Sequence, residues 1–436
     1  MSNIILTPCQ KTATDAFLDF LVSDDIFFSI TGPAGTGKSF LIKHLLQTFY
    51  SKYSAYCLLL QKEVKRFDIR ITATTNKAVN VVEDFLGSVH NDHANVEVST
   101  IYSLLGLKIQ NNYKTGKQEL VFNNKSEGYF NSLFGPEIPL IFIDESSFIS
   151  EELQTIIENT APKDRGVKIV YIGDKHQLAP VGQKFSIMDS LNCSKVELTE
   201  IVRNAGHILK TGTQFRQTVE TGIFKPINYN GIDVVHMDGP TFQQAVENSF
   251  TDPNWYPNKS KVLAWTNNRV QEYNQHIRTA MNKPKLFTTG EYAVTNEYIK
   301  SNKYTCGVDS EVLLTKVHYE PIHLFNVKGF MVEIDNEFVG FMPENFQDAK
   351  AAMKEFAADK EWKKYFEIKE TWLDLRAVYS SSIHKAQGST YETVFLDLSD
   401  IGTNWNANDV ARLLYVGITR ASKQVVCYGY LPDRYT

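Results

Sequence analysis

The chain has 436 residues, 43% of them hydrophobic and 22% charged, with a net charge of −5 at pH 7. That length supports two or more domains with their own cores, and the mix is that of an ordinary soluble protein. No apolar run approaches a membrane span, and the mildly acidic balance means that any grip on a polyanion must be built in a local groove. Five cysteines, Cys9, Cys57, Cys193, Cys306 and Cys427, are scattered and odd in number. They exclude a disulfide framework and predict reduced thiols in a cytoplasmic compartment. Residues 1–7 carry neither the basic region nor the long apolar core of a signal peptide.

In chain order, the apolar run Ile26–Ile30 leads into Gly32-Pro33-Ala34-Gly35-Thr36-Gly37-Lys38-Ser39, and a helical pattern, Phe40–Leu46, follows. Strand, G-x-x-x-x-G-K-[ST] turn and helix together define a phosphate-binding loop. Glycines let backbone N–H groups curl round a phosphate, and the helix N-terminus adds partial positive charge. Lys38 is expected to reach the β- and γ-phosphates of ATP, and Ser39 to hold Mg²⁺. Further strand-like runs at Asp68–Ala73, Leu140–Ile143 and Lys168–Ile172 alternate with helical patterns, which predicts an α/β domain with a parallel sheet. In such sheets ligands sit at the carboxyl ends of the strands. His90, Asp92 and His93 share a polar stretch, but no second ligand cluster accompanies them, so no metal site is assigned there.

One segment breaks the alternation. Leu107–Gln110, a turn at Lys114–Lys117 and Gln118–Phe122 read as an inserted β-hairpin. The strand Ile141–Ile143 then ends in Asp144 and Glu145. Beside a phosphate loop, Asp144 is expected to hold Mg²⁺, and Glu145 to orient and deprotonate the attacking water. The turn Gly173–Val181 follows the next strand, and its Gln177 is placed to sense the γ-phosphate. A second part begins near Arg203, with buried strands at Val262–Trp265, Val394–Leu396 and Val425–Tyr428. Between about 287 and 376 many short β-like pieces, then one charged, aromatic helix-like piece at Lys350–Lys369, predict a small β-rich insertion.

These segments, in this order, resemble the superfamily 1B helicases over nearly the whole chain. Leu6-Thr7-Pro8-Cys9-Gln10 is similar to the family's Q-motif, where the glutamine reads adenine. Thr72–Ala78 resembles motif Ia, Ser99–Leu104 motif Ib, Gly173–Val181 motif III, Leu198–Arg203 motif IV and Trp265–Asn268 motif IVa. Ser382–Thr390 matches motif V and Leu414–Ala421 motif VI. Motifs III, V and VI are specific; Ia and Ib are weak by themselves. Three positions depart from the pattern. Thr74 stands where motif Ia has proline, Asn76 where a phage member has histidine, and Tyr102 where motif Ib has histidine.

The resemblance implies two RecA-like P-loop domains with parallel sheets. The first would span 1–200, with a β-hairpin pin inserted at about 106–135. The second would span 201–436, with a β-rich, SH3-like insertion at about 287–376. It implies ATP and Mg²⁺ as cofactors, with Gln10, Gly35, Thr36, Gly37, Lys38, Ser39 and Gln387 at the nucleotide and Arg203 and Arg420 as arginine fingers. Single-stranded DNA would meet Thr75, Asn76, Thr100, Tyr102, Asn267, His384 and Thr390, with Lys385 beside them. Tyr102 is equally readable as a buried tyrosine. Phe122 is the expected wedge that splits the duplex, with Tyr113 in reserve; a phenylalanine in the hairpin's own small core is the other reading. The implied activity is a DNA-stimulated ATPase and helicase moving 5′-to-3′ in replication or recombination, a monomer meeting a DNA fork and a single-strand-binding protein or replisome components, with no membrane. A translocase that displaces proteins, an RNA helicase of the same superfamily and a nucleotide-switched DNA-binding module remain open alternatives.

Overall fold

The computed structural model describes residues 6–87, 96–112, 117–122, 133–180, 186–201, 206–300 and 304–435. The chain divides into two compact units, 1–205 and 206–436.

The first unit is built on strands β1 (Phe27–Thr31), β2 (Phe67–Ala73), β3 (Val96–Thr100), β6 (Ile138–Ile143), β7 (Lys168–Gly173) and β8 (Ser194–Glu197), with β4 (Leu107–Asn112) and β5 (Lys117–Phe122) inserted between β3 and β6. The six strands of the sheet are all parallel, in the order β3-β2-β6-β7-β1-β8. Central strands of such a sheet are covered on both faces, so their sequences are almost continuously apolar. All seven residues of β2 are buried, and its Asp68 and Arg70 are tolerated because they pair with each other at 3.3 Å. Helix α1 (Pro8–Val22) is locked to β7, because the buried Lys168 ammonium donates to the carbonyls of Phe20, Ser23 and Asp25 at 2.7–3.0 Å. Phe17, Phe28, Leu45, Phe49, Ile71 and Phe142 centre the core on one face of the sheet. β4 and β5 pair antiparallel, with Leu107 opposite Phe122 and Asn112 opposite Lys117.

The second unit carries a parallel sheet of β9 (Val234–Met237), β10 (Ser260–Ala264), β19 (Ser380–Ser382), β20 (Tyr391–Asp397) and β21 (Ala421–Tyr428), in the order β19-β10-β20-β21-β9. Between β10 and β19 lies an antiparallel sheet of β11 (Tyr292–Thr295), β14 (Glu311–Val317), β15 (Ile322–Leu324), β16 (Val327–Ile334), β17 (Phe338–Pro343) and β18 (Leu375–Ala377), with the short pair β12 (Ile299–Lys300) and β13 (Thr305–Cys306) beside it. Buried Lys261 on β10 ties the two layers by donating to Glu311 at 3.0 Å and to the Val378 carbonyl at 2.7 Å. The helix-like piece expected at Lys350–Lys369 is two helices, Phe346–Ala358 and Trp362–Thr371. Lys360 takes a left-handed φ of 59°, which breaks the run and lets both helices turn Ala349, Ala352 and Ile368 onto one core with Phe341 and Trp372.

Candidate nucleotide site and nucleic-acid interface

The phosphate loop joins β1 to helix α2 (Lys38–Leu59). Gly35 and Gly37 take φ of 84° and 78°, a left-handed region that side chains resist. α2 starts without any side-chain cap, so its first N–H groups are left for an anion. The Lys38 ammonium lies back on the loop and donates to the carbonyls of Gly32 at 2.7 Å and Pro33 at 3.0 Å. Buried Thr36 donates its hydroxyl to the Pro33 carbonyl at 2.9 Å. Ser39 is exposed at the head of the helix.

Gln10 is tied into this loop from α1. Its amide oxygen accepts from the Thr7 N–H at 3.1 Å, and its backbone N–H donates to the Thr7 hydroxyl at 3.3 Å, which closes a capping box. Its amide nitrogen then donates to the Thr36 carbonyl at 3.1 Å.

Asp144 and Glu145 follow β6, two strands away from β1 in the sheet. Asp144 accepts the Glu145 N–H on Oδ1 at 2.9 Å, which fixes its carboxylate. Burial raises its pKa, while that N–H and the Lys38 charge pull it down, so the two side chains feel each other across the site. Glu145 has a left-handed φ of 48° and opens the 3₁₀ turn Ser146–Phe148, a local strain worth about 1–2 kcal/mol. Buried Ser146 bridges the strands, donating to Ile143 O at 2.6 Å and accepting from Ile172 N at 3.1 Å. After β7, the turn is fixed by Asp174, whose Oδ1 accepts the His176 N–H at 3.0 Å and meets His176 Nδ1 at 3.2 Å. Gln177 is buried there, its N–H on the Asp174 carbonyl at 3.1 Å. Hydroxyl and carboxylate oxygens at Ser39 and Asp144 are the hard donor set that suits Mg²⁺. Among the described residues no cluster of three or more His, Cys, Asp or Glu side chains could hold a metal; His90 and His93 lie outside them.

The expected DNA contacts of the first unit sit at the carboxyl ends of β2 and β3. Thr75 is exposed and caps helix α3 (Asn76–Leu86) by accepting the Ala78 N–H at 3.1 Å. Asn76 opens that helix; its side chain is outside the described residues. Thr100 caps the turn Ile101–Leu104 through the Ser103 N–H at 3.1 Å. Tyr102 is partly buried against the Ile143, Leu153 and Tyr171 core, and burial raises its hydroxyl pKa. Phe122 is 53% exposed at the end of the hairpin away from its turn, whereas its partner Leu107 is 8% exposed in the core. Tyr113 and Arg203 lie outside the described residues.

In the second unit, Asn267 is exposed at the start of helix Asn267–Ala280, just past the carboxyl end of β10. That corner is held by a carboxylate the sequence did not announce. Asp400 accepts the N–H groups of Trp265 at 2.6 Å and Thr266 at 2.8 Å on Oδ2, and the Thr266 hydroxyl at 2.7 Å on Oδ1. Fully buried Asp397 supports it, accepting Asp400 N–H, Arg269 Nε and the Tyr273 hydroxyl at 2.7–3.1 Å. An aspartate pair directly after a buried strand, in Asp397-Leu398-Ser399-Asp400, is the only hint in the sequence.

Motif V follows β19. His384 is partly buried, and that burial lowers its pKa against the opposing pull of Asp409. Lys385 pairs with Asp309 at 2.5 Å. Gln387 is buried, and Thr390 lies half-buried just before β20. Arg420 is also buried; within its own unit it donates to the carbonyls of Val416 at 3.3 Å and Ser389 at 3.2 Å.

The family model of an AAA domain matches residues 6–221, and that of a UvrD-like helicase C-terminal domain matches residues 377–428. The fold is that of the Pif1 helicase from Bacteroides solved in complex with ADP-AlF3 and ssDNA, with a TM-score of 0.53 over 99% of this chain and 94% of that one, at 14% sequence identity. With the ordered motifs, these matches define the class: the chain is a superfamily 1B helicase, an ATP-dependent enzyme. It resembles the ATP-dependent DNA helicase dda of Enterobacteria phage T4, at 25% identity over 480 residues covering 96% of this chain and 98% of that protein. An uncharacterised protein of Acanthamoeba polyphaga mimivirus is similar to the same degree, 25% over 509 residues, covering 95% of this chain and 98% of its own length.

Proposed function

We propose that this helicase works on DNA: it hydrolyses ATP to move 5′-to-3′ along a single strand and separates the duplex ahead of it, in replication or recombination. One observation carries the coupling of the two activities. Asp144 of the nucleotide site donates its backbone N–H to the Thr72 carbonyl at 2.7 Å, and the Thr72 hydroxyl returns to the Phe142 carbonyl at 3.1 Å. Thr72 lies three residues before Thr75, so the strand that carries the acid is hydrogen-bonded to the strand that ends at the DNA contact.

Lys38 and the N–H groups at the start of α2 hold the β- and γ-phosphates of ATP. Ser39 and Asp144 hold Mg²⁺, which, when bound, neutralises phosphate charge. Glu145 accepts a proton from water as that water's oxygen bonds to the γ-phosphorus and the bond to the departing ADP breaks. Gln177 reports the γ-phosphate, and Arg203 and Arg420 answer the charge on the transferring phosphoryl. Gln10 sits with the adenine and Gln387 links nucleotide to strand. Phosphates of the single strand meet Thr75, Asn76, Thr100, Asn267, His384 and Thr390, and Tyr102 lies among them. Phe122 wedges the fork. The chain acts as a monomer in the cytoplasm, alongside a single-strand-binding protein or replisome components.

The test is strand displacement on DNA forks with ATP and Mg²⁺. The reading expects unwinding when the free tail is 5′. Unwinding only from a 3′ tail would overturn the direction. Displacement of RNA but not DNA would overturn the substrate.

A further inference from the structure

Trp405 is 82% exposed, which is rare for so large an apolar ring. It sits in the connection after β20, between the short helix Leu398–Ile401 and the helix Ala407–Thr419. The Arg434 guanidinium lies 4.0 Å from the centre of its ring. The loop that presents it is braced. Arg434 donates to the Gly402 carbonyl at 3.1 Å, the Tyr435 hydroxyl to the Asn404 carbonyl at 2.7 Å, and Asn404 Oδ1 accepts the Asn406 N–H at 2.9 Å. A loop bonded this closely holds an exposed indole in place, which lowers the entropy cost of binding.

Its position gives the ring a use. β20 lies between β10 and β21 in the sheet, with strands about 4.8 Å apart. The carboxyl end of β10 carries Thr266 and Asn267, and Asp400, five residues before Trp405, is bonded to that corner. The carboxyl end of β21 carries Tyr430, 76% exposed, with the His236 ring 4.7 Å from it. Exposed polar groups and then exposed rings therefore follow one another along one edge of the sheet.

We propose that Trp405, backed by Arg434, is a base-stacking platform for single-stranded nucleic acid, extending the strand's track past Asn267 along the carboxyl edge of the second unit. The inference rests on the single-strand motor reading above. Indole stacks on any base, and the guanidinium adds a phosphate contact and a cation–π partner, so the site tolerates sequence, as a motor's track requires.

Binding of thymidine oligonucleotides of increasing length to the full chain tests it, in wild type, Trp405→Ala and Trp405→Phe. On the longest oligonucleotides Trp405→Ala should weaken affinity by about 5- to 150-fold, the range of base–aromatic stacking, and Trp405→Phe should recover most of it. An abasic nucleotide walked along the strand should lower wild-type affinity at one position and have no effect there in Trp405→Ala. Equal length profiles and equal abasic penalties in the two proteins would overturn the platform while leaving the motor reading standing, and would leave the ring to a protein partner. A wild-type chain that binds no single strand at any length would overturn both.

Discussion

The Gln10 side-chain amide donates to the Thr36 carbonyl at 3.1 Å, so the residue expected at the adenine also holds the phosphate loop. The bond is buried, and a Cβ on Gly37 would come within 2.7 Å of the same amide nitrogen. One side chain thus holds the loop's shape beside the place proposed for adenine. Gln10→Ala removes the tie and half of the capping box. A lost hydrogen bond of about 1 kcal/mol should raise the KM for ATP about fivefold. Steady-state hydrolysis against ATP concentration checks this.

Lys38 rests on the Gly32 and Pro33 carbonyls and its charge steadies the ionised form of Asp144. Lys38→Ala should lower kcat for ATP by at least about 100-fold, since it removes a preorganised cation from the transferring phosphoryl. Its affinity for single-stranded DNA, measured by anisotropy without nucleotide, should stay close to wild type. Normal turnover in this variant contradicts the assignment of the loop.

Asp144 should trade stability for function. Burial raises its pKa in the folded chain above its unfolded value, so the folded state binds the extra proton. Its contribution is therefore full below the ordinary carboxyl range near about pH 4 and is lost as pH rises through the raised value. Without nucleotide or Mg²⁺, Asp144→Asn should raise the melting temperature of the first unit at about pH 7 and leave it unchanged at about pH 3.5. The same change should abolish ATP turnover. Thermal melts at the two pH values, with an ATPase assay, check both halves.

Phe122 is too exposed to matter for stability, so Phe122→Ala should shift unfolding by less than about 0.5 kcal/mol. Strand displacement at a fork should fall sharply while hydrolysis stimulated by single-stranded DNA persists. Equal loss of both would make the residue part of the strand grip instead of the wedge.

Asp400→Ala strands the N–H groups of Trp265 and Thr266 beside fully buried Asp397. The loss should cost about 3 kcal/mol of stability and weaken single-strand binding through a misplaced Asn267. Denaturant unfolding and oligonucleotide titration separate the two effects.

Much of this was legible because its causes are local. The phosphate loop requires glycine at the positive φ of Gly35 and Gly37, and β6 and β7 are covered on both faces, so each reads as a mostly apolar run, while β2 carries Asp68 and Arg70 between its apolar residues. Other elements escaped for physical reasons. β8 (Ser194–Glu197) is an edge strand with three exposed residues, and β3 (Val96–Thr100) is a half-buried edge; neither has the apolar signature of a central strand. The break at Lys360 depends on where two helices meet a shared core, which helical periodicity does not encode. Asp400 is far from Trp265 in sequence, so its role exists only once β20 lies beside β10. Phe122 is 53% exposed, and the fork assay on Phe122→Ala decides between the two readings that its sequence left open.

The central claim is that ATP turnover and a single-strand track are coupled in one chain. Its most direct test is ATP hydrolysis by the purified protein with and without a single-stranded DNA oligonucleotide. The coupling through Asp144 and Thr72 predicts strong stimulation by DNA, lost in Lys38→Ala. Hydrolysis that is brisk and indifferent to the oligonucleotide would contradict it.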